Sequence, residues 1–147
     1  DGRTRRQRVG QRCGDVFAQD ERVQLGALYA DQVHITMSDV NGRALALAKC
    51  NSRDNGVEAA CVLSDGFANL EGPFDAVILN PPIHAGKEVV FSLYEGARDH
   101  LRDGGRLFVV IQKKHGAEST LIKLQELFGS VKTLYKKKGV YVLEARK

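Results

Sequence analysis

The chain contains no tryptophan, one methionine, three prolines and three cysteines. An odd number of cysteines without CxxC spacing fits neither a disulfide framework nor a zinc site, so we expect reduced thiols and no metal. Long apolar runs are missing too: the longest, such as Leu107–Ile111, have the length of a strand and not of a membrane span. The arginine-rich beginning lacks the apolar core of a secretory signal. We therefore expect a cytosolic protein with no membrane partner.

What is present resembles an ordinary globular domain. The 147 residues are 43% apolar and 27% charged, so disordered and fibrous classes are excluded and one hydrophobic core can be built. The formal charge of +4 is compatible with a polyanionic partner. Because net charge governs steering more than specificity, it is weak evidence for nucleic acid.

Strand-like and helix-like segments alternate from Leu25 onward, which predicts an α/β fold with a doubly wound, mostly parallel sheet. Lys136–Gly139 is too short for a parallel crossover, so the last two strands should form an antiparallel hairpin. The predicted strands are Val33–Ser38, Glu58–Leu63, Phe74–Leu79 (buried on both faces), Arg106–Gln112, Val131–Tyr135 and Val140–Ala145. The predicted helices are Gly42–Arg53, Lys87–Leu101 and Ala117–Phe128, and Asp103–Gly105 is a predicted turn.

The strongest chemical signal is Asn80-Pro81-Pro82-Ile83, directly after a predicted strand. Ligands of doubly wound sheets bind at this end of the strands. An asparagine oxygen and a proline carbonyl can accept both protons of a base amine, which localises and aims its lone pair, and the prolines hold these acceptors in place. Ile83 stands where related sites carry an aromatic residue for stacking. The alternative is a plain proline turn, but the position after the strand favours catalysis.

Two aspartates precede this motif at the ends of earlier strands. Asp39 can accept hydrogen bonds from the ribose hydroxyls of a nucleoside cofactor, and its alternative role is to cap the following helix, which Asn41 could equally do. Asp65 is placed to meet an adenine amine, with Gly66 and Phe67 against the ring. Its alternative is a turn aspartate.

Three motifs together resemble one family. They are NPPIHAGK at Asn80–Lys87, SDGF at Ser64–Phe67 and VIQKKHGA at Val110–Ala117. They resemble the small-domain class I methyltransferases that include the guanine-N2 methyltransferases of small-subunit ribosomal RNA. The parallel sheet ending in a hairpin is similar to that family's Rossmann-like fold.

The resemblance implies S-adenosylmethionine as the cofactor and ribosomal RNA as the substrate. It assigns the target amine to Asn80, within a catalytic Asn80–Ile83 loop, and lets Asn80 also border the cofactor. The ribose is assigned to Asp39 with Val40 beside it, and the adenine to Asp65.

Basic residues follow two of the predicted strands. His84 and Lys87 come after the Asn80 loop, and Lys113 and Lys114 come after the strand Arg106–Gln112, so both groups should lie at the same sheet edge and could bind phosphates around a flipped base. The alternative is a solvated loop, and His115 in particular reads as a loop histidine. Lys136–Lys138 reads first as an exposed turn and second as an RNA contact.

The first 24 residues differ from the rest. They hold six arginines and no lysine, whereas the remainder holds six arginines and ten lysines. No apolar strand leading to a glycine-rich loop is visible there, so the first strand of the fold is predicted to be degenerate or missing. We expect Asp1–Arg12 to lie outside the core, a helix to begin between Phe17 and Tyr29, and residues 25–147 to form the catalytic domain. A fragment, a shifted reading frame or an RNA-binding arm would each explain this composition.

Two other functions compete with this interpretation. The first is the same chemistry on DNA adenine or a protein glutamine amide, against which Ile83 counts because it replaces the aromatic residue. The second is a non-catalytic module that binds RNA without a cofactor. Neither the target nucleotide nor the oligomeric state follows from the sequence.

Overall fold

A computed structural model describes residues 34–147. The chain divides into two compact units, of which the first ends at Leu70 and the second runs from Glu71 to Lys147. The expectations for Asp1–Arg12, for a helix between Phe17 and Tyr29, and for a domain boundary at residue 25 lie outside the described residues.

The first unit is built from two strands and the helix between them. Strand β1 spans Ile35–Asp39, helix α1 spans Gly42–Asp54, and strand β2 spans Ala59–Leu63. The two strands pair in parallel, with Asp39 opposite Leu63. Met37 on β1 and Ala48 on α1 form the buried contact between strand and helix. The predicted parallel strand, helix, strand order is therefore confirmed.

The second unit contains a four-stranded sheet in the order β3-β4-β6-β5. Its strands are β3 Phe74–Leu79, β4 Leu101–Gln112, β5 Ser130–Lys137 and β6 Val140–Arg146, and its helices are α2 Lys87–His100 and α3 Ala117–Phe128. Strand β4 pairs with β3 in parallel, and β6 pairs antiparallel with both β4 and β5. The predicted hairpin is thus confirmed, and it closes the sheet on one side.

The core of this unit lies along the two central strands. Leu107 and Val109 of β4, and Leu143 and Ala145 of β6, are all fully buried. They alternate with more exposed residues along each strand, the period that a sheet covered on one face requires. Tyr94 of α2 and Leu124 of α3 are also fully buried. The apolar stripes of both helices therefore cover the sheet as their spacing predicts.

The predicted turn at Asp103–Gly105 is wrong, because β4 already begins at Leu101. The pairing register shifts between Phe74 and Ala76 of β3, so the glycines form an irregularity inside the strand. Gly104 has a φ of +79° and its N–H donates to the carbonyl of Lys147 at 2.8 Å. The last residue of the chain thus continues the β6 pairing past the glycines, a long-range contact that local turn signals do not contain.

The prediction that Phe74–Leu79 is buried on both faces is also wrong. Its bounds are confirmed, but Asp75 and Ala76 are exposed and Ile78 is 43% exposed. Within the part of the chain that the structure describes, β3 pairs with β4 alone and is an edge strand. An edge strand is less covered than a central one, which accounts for the difference.

Two expectations about composition can be compared with the structure. Cys61 is a free, half-buried thiol, as expected, whereas the expectation of a reduced thiol is wrong for Cys50, which is disulfide-bonded. Among the described residues no helix is long and apolar enough to cross a membrane.

Candidate active site

In the first unit, Asp39 ends β1 and Ser64 follows β2, so both lie at the carboxyl edge of the parallel pair. The N–H of Ser64 donates to the carbonyl of Asp39 at 3.1 Å, which ties the two strand ends together. One carboxylate oxygen of Asp39, Oδ1, accepts from the N–H of Asn41 at 2.9 Å. No side chain or backbone group of residues 34–147 bonds to Oδ2, so it is available to a ligand.

Asn41, and not Asp39, caps helix α1. Its Oδ1 accepts from the N–H groups of Arg43 and Ala44 at 3.0 and 3.3 Å. An N-cap side chain satisfies two N–H groups that the helix itself cannot. The alternative role for Asp39 is therefore already filled by its neighbour, although the ribose role itself stays a prediction.

Asp65 sits on a rigid turn after β2. Ser64 is 3% exposed; its hydroxyl donates to the carbonyl of Gly66 at 2.9 Å and accepts from the N–H of Asn69 at 3.0 Å. The Asn69 side chain donates to the carbonyl of Leu63 at 2.9 Å. Asp65 itself is exposed, and no hydrogen bond to its carboxylate occurs within the described part of the chain. The hydrogen bonds that hold the turn therefore come from Ser64 and Asn69, and the Asp65 carboxylate takes no part in them.

An apolar surface accompanies these two carboxylates. Val40 is 69% exposed and Leu63 is 54% exposed, at the ends of β1 and β2, while Phe67 is half-buried. Leu63 was not among the predicted site residues, although its place as the last apolar residue before the SDGF turn was a usable signal. Carboxylates beside an exposed apolar surface fit the ribose and adenine of a nucleoside cofactor, since both polar recognition and ring contact are provided.

In the second unit, Asn80 follows β3 and leads into a short 3₁₀ helix at Ile83–Ala85. The carbonyl of Pro82 accepts from Ala85 at 2.9 Å, and that of Ile83 accepts from Gly86 at 3.4 Å. Pro81 is buried, which anchors the loop. Across residues 34–147 neither the Asn80 side chain nor the Pro81 carbonyl is engaged in a hydrogen bond. These two are the acceptors that the sequence analysis assigned to the target amine.

The basic residues fall into two different surroundings. The rings of His84 and His115 meet edge to face with centroids 6.4 Å apart, so the turn after β3 contacts the turn after β4. Lys113 and Lys114 line an open groove beside that turn. Lys87 instead places its Nζ 5.3 Å from the centre of the Phe91 ring on its own helix. Lys113 and Lys114 are therefore better placed for a ligand than Lys87.

Residues 34–147 contain no group of three or more His, Cys, Asp or Glu side chains that could hold a metal ion. The Asn80 loop offers the unengaged oxygen of the Asn80 side chain, and its His84 ring meets the His115 ring of the neighbouring turn. Such a set can orient and bind a polar, anionic substrate.

Comparison with known proteins identifies the family. The model of the methyltransferase small domain family matches residues 24–144. The chain belongs to this family. Its predicted Rossmann-like fold and the resemblance seen in its motifs are thereby confirmed.

Two similar sequences and one similar solved structure illustrate the relationship. The chain is 44% identical over 116 residues to the uncharacterized protein YbxB of Bacillus subtilis, which covers 77% of the chain and 58% of YbxB. It is 39% identical over 83 residues to the ribosomal RNA small subunit methyltransferase C of Pasteurella multocida, covering 54% of the chain and 25% of that enzyme. The 16S rRNA N2 methyltransferase RsmC of T. thermophilus, solved with AdoMet and guanosine, matches with 26% identity and a TM-score of 0.69 over 82% of the chain and 33% of RsmC.

The chain spans about a quarter to three fifths of these relatives. S-adenosylmethionine is the cofactor of this family, and the two aspartates with their apolar surroundings are the residues here that fit its nucleoside part.

Proposed function

We propose that this chain carries the methyl-transferring site of an enzyme that methylates the exocyclic N2 amine of guanine in ribosomal RNA. The observation that supports this most directly is the pair of unengaged acceptors, the Asn80 side-chain oxygen and the Pro81 carbonyl, on a loop whose next two carbonyls are used in a 3₁₀ turn. The name of the Pasteurella multocida relative supports ribosomal RNA as the substrate, and that of the T. thermophilus relative supports the N2 amine.

The chemistry of a base amine explains why two fixed acceptors are needed. The lone pair of an exocyclic guanine amine is delocalised into the ring, so the nitrogen is a weak nucleophile. Asn80 and Pro81 accept hydrogen bonds from its two N–H groups, which favours the geometry in which the lone pair points away from the ring plane toward the methyl group. Because the loop is held by its prolines and by the 3₁₀ turn, these acceptors need no reorganisation during the reaction. When bound, S-adenosylmethionine would supply the methyl group: the N–C bond forms as the S–C bond breaks, S-adenosylhomocysteine leaves, and the methylated amine gives its surplus proton to water.

The remaining residues bind and position the cofactor and the RNA. The carboxylate of Asp39 holds the ribose of the cofactor, with Val40 in apolar contact, and Asp65, Gly66 and Phe67 hold its adenine. Ile83 contacts the flipped guanine through an aliphatic side chain, so affinity for the base depends more on its surroundings than on stacking. His84, Lys113 and Lys114 bind phosphates around it, and Lys87 contributes less because its amine lies over Phe91.

Substitution at Asn80 tests the proposal. Asn80→Ala removes one of the two acceptors, and Asn80→Gln moves that acceptor by one methylene; each should lower methyl incorporation into ribosomal RNA by about 10²-fold or more. Binding of S-adenosylhomocysteine should change by no more than a few-fold, because the main partner of Asn80 is the target amine.

The measurement uses labelled cofactor with ribosomal RNA, DNA or total protein in parallel incubations. Label in RNA that both variants abolish supports the proposal. Label in DNA or protein alone would assign the site to one of the other amine substrates, and near wild-type turnover by Asn80→Ala would remove Asn80 from the catalytic loop.

A further inference from the structure

Two lysine-bearing turns lie side by side in the second unit. The 3₁₀ helix Lys113–His115 ends β4, and the two-residue turn Lys138-Gly139 joins β5 to β6. The N–H of Lys113 donates to the carbonyl of Gly139 at 2.8 Å, and Gln112 pairs with Val140. Lysines 25 positions apart in the sequence therefore share one surface.

This surface is an open groove of about 870 Å³, here named the lysine groove. It is lined by Gln112, Lys113, Lys114, Gly116, Glu118, Ser119, Lys138 and Gly139. The groove adjoins the turn that contacts the Asn80 loop, because His115, the last residue of the 3₁₀ helix, meets the ring of His84. A ligand bound to the catalytic loop could thus extend into the lysine groove.

The cations of the groove make no ion pair within residues 34–147, whereas three other cations of the same unit do. Arg102 bonds to Asp75, Arg106 lies 3.7 Å from Glu144, and Lys123 lies 3.1 Å from Glu95. By contrast, no ion pair in the described residues involves Lys113, Lys114 or Lys138, and the one acidic residue lining the groove, Glu118, makes none either. Three lysines against one glutamate leave a net positive groove.

Lys138 also has an unusual backbone. Its φ is +52° and that of Gly139 is +75°, the combination of a type I′ turn. Glycine or asparagine is favoured at such a position, because the left-handed conformation is strained for other side chains. A lysine that keeps this conformation carries a local cost, and such costs concentrate where a side chain has a function.

We propose that the lysine groove binds the phosphate backbone of RNA beside the target base. A groove lined by three separate lysines fits a chain of phosphates better than one small anion, and unpaired lysines release counterions when they bind it. In naming RNA, this inference rests on the proposed function. It adds Lys138, which sequence analysis interpreted first as an exposed turn residue, to the binding surface.

Lys138→Asn is the decisive variant, because it removes the charge and relieves the strained backbone. The variant should bind a labelled RNA hairpin several-fold more weakly, with a salt dependence, log K against log salt, shallower by about 0.7 for one lost phosphate contact. Its melting temperature should rise, since asparagine tolerates the left-handed conformation. Lys138→Arg should retain the affinity, and Lys113→Gln with Lys114→Gln should reduce the slope further.

The matched control is Lys132→Asn, an exposed lysine of β5 that lies far from the turn in the pairing register, opposite Glu144. It changes the net charge equally and should leave the salt slope near that of the wild type. An equal loss of RNA affinity in Lys132→Asn and Lys138→Asn would overturn the proposal. An unchanged salt slope of binding in all groove variants would do the same. So would polyglutamate that competes as well as RNA at the same charge concentration.

Binding is measured without cofactor, which separates this proposal from the methyl-transfer proposal. A groove that binds RNA in a chain that methylates nothing would contradict only the proposed function. Methylation of RNA that is insensitive to the groove substitutions, with unchanged RNA affinity, would contradict the groove and the phosphate role of Lys113 and Lys114, but not the methyl-transfer role of Asn80.

Discussion

Asp39 and Asn41 stand two residues apart and have separate tasks. Either residue type is a good helix cap, so sequence alone leaves both roles open to both side chains. In the structure Asn41 has the extended backbone of a cap, with φ −93° and ψ 111°, and its side chain bonds to the first turn of α1. Asp39 then keeps one carboxylate oxygen without a partner among the described residues.

Substituting each of the two residues should separate cofactor binding from stability. Asp39→Ala should weaken S-adenosylhomocysteine binding by about tenfold or more, because a charge-assisted hydrogen bond contributes about 1.5–3 kcal/mol. Asn41→Ala should instead lower the free energy of unfolding by about 1 kcal/mol and leave the affinity nearly unchanged. Calorimetric titration and urea unfolding measure the two effects. Unchanged cofactor affinity in Asp39→Ala would contradict its ribose role.

The candidate site could be predicted from sequence where a residue type and its position suffice. Asn80 and Pro81 were predicted as the acceptor pair because they directly follow a strand and carry the oxygens that such a site needs, and this role stays a prediction. Leu63 was not predicted as a site residue, and Lys138 was interpreted first as an exposed turn residue and only second as an RNA contact, for a different reason. Exposure of an apolar side chain, and the meeting of two lysine turns through the bond from Lys113 to Gly139, depend on how distant segments pair.

Between elements, one buried hydrogen bond joins helices α2 and α3. The hydroxyls of Tyr94 and Thr120 lie 3.0 Å apart, and the two residues are 0% and 2% exposed. Burial without this bond would leave two polar groups unsatisfied, which is costly. The contact therefore fixes how the two helices pack on the sheet.

Removing both hydroxyls of this pair should cost less stability than the two single removals added together. Tyr94→Phe should lower the free energy of unfolding by about 1–3 kcal/mol, since it leaves the Thr120 hydroxyl buried without its partner. Combined with Thr120→Val, the loss should be smaller than the sum of the single losses. Tyr135→Phe, at an exposed position of β5, is the control and should change stability little. Additive losses in urea unfolding would argue against direct coupling of the two hydroxyls.

The same pair predicts a dependence on pH. Burial raises the pKa of the Tyr94 hydroxyl above its ordinary value of 10.0, and the hydrogen bond with Thr120 acts in the opposite direction. The unfolded chain then loses this proton at a lower pH than the folded chain does, so the stability from Tyr94 is fully present below about pH 10 and is lost as pH rises above it. Urea midpoints measured on both sides of that pH should fall less in Tyr94→Phe than in the wild type. An equal fall of the urea midpoint with pH in Tyr94→Phe and in the wild type would contradict the raised pKa of Tyr94.

Elements were predicted well where local signals define them. The bounds of α3 and β3 agree with the sequence, because glycine, proline and periodic apolar residues mark their ends. Asp103-Gly104-Gly105 carries equally strong turn signals and yet lies inside β4. The pairing of Gly104 and Gly105 with Lys147 decides that segment, and no local window contains both partners.

At the scale of the whole molecule, composition changes along the chain. Residues 1–24 hold arginine but no lysine, and no apolar strand followed by a glycine-rich loop can be recognised there. In this family the backbone of such a loop approaches the methionine part of the cofactor. Asp39 and Asp65 are the residues we propose for the nucleoside part, and residues 1–24 contain no recognisable sequence for the methionine part.

We therefore predict that this chain binds S-adenosylhomocysteine more weakly than micromolar. The residues that fit the nucleoside are present, but the amides that would approach the methionine part are not recognisable, so part of the binding free energy should be lost. Calorimetric titration of the full chain measures the dissociation constant, with Asp39→Ala as a control for specific binding. Micromolar or tighter binding would contradict this prediction.

The alternation of helices and strands, the terminal hairpin and the Asn80 loop all follow from sequence, because each depends on residues that are close together along the chain. Tertiary structure decided which of Asp39 and Asn41 caps α1, that β3 is an edge strand among the described residues, and that Lys138 joins Lys113 and Lys114 in one groove. Each of these depends on pairing between distant segments or on backbone angles. The sequence determines the chemistry of each side chain, whereas the contacts of that side chain are determined only when the strands pair in the folded structure.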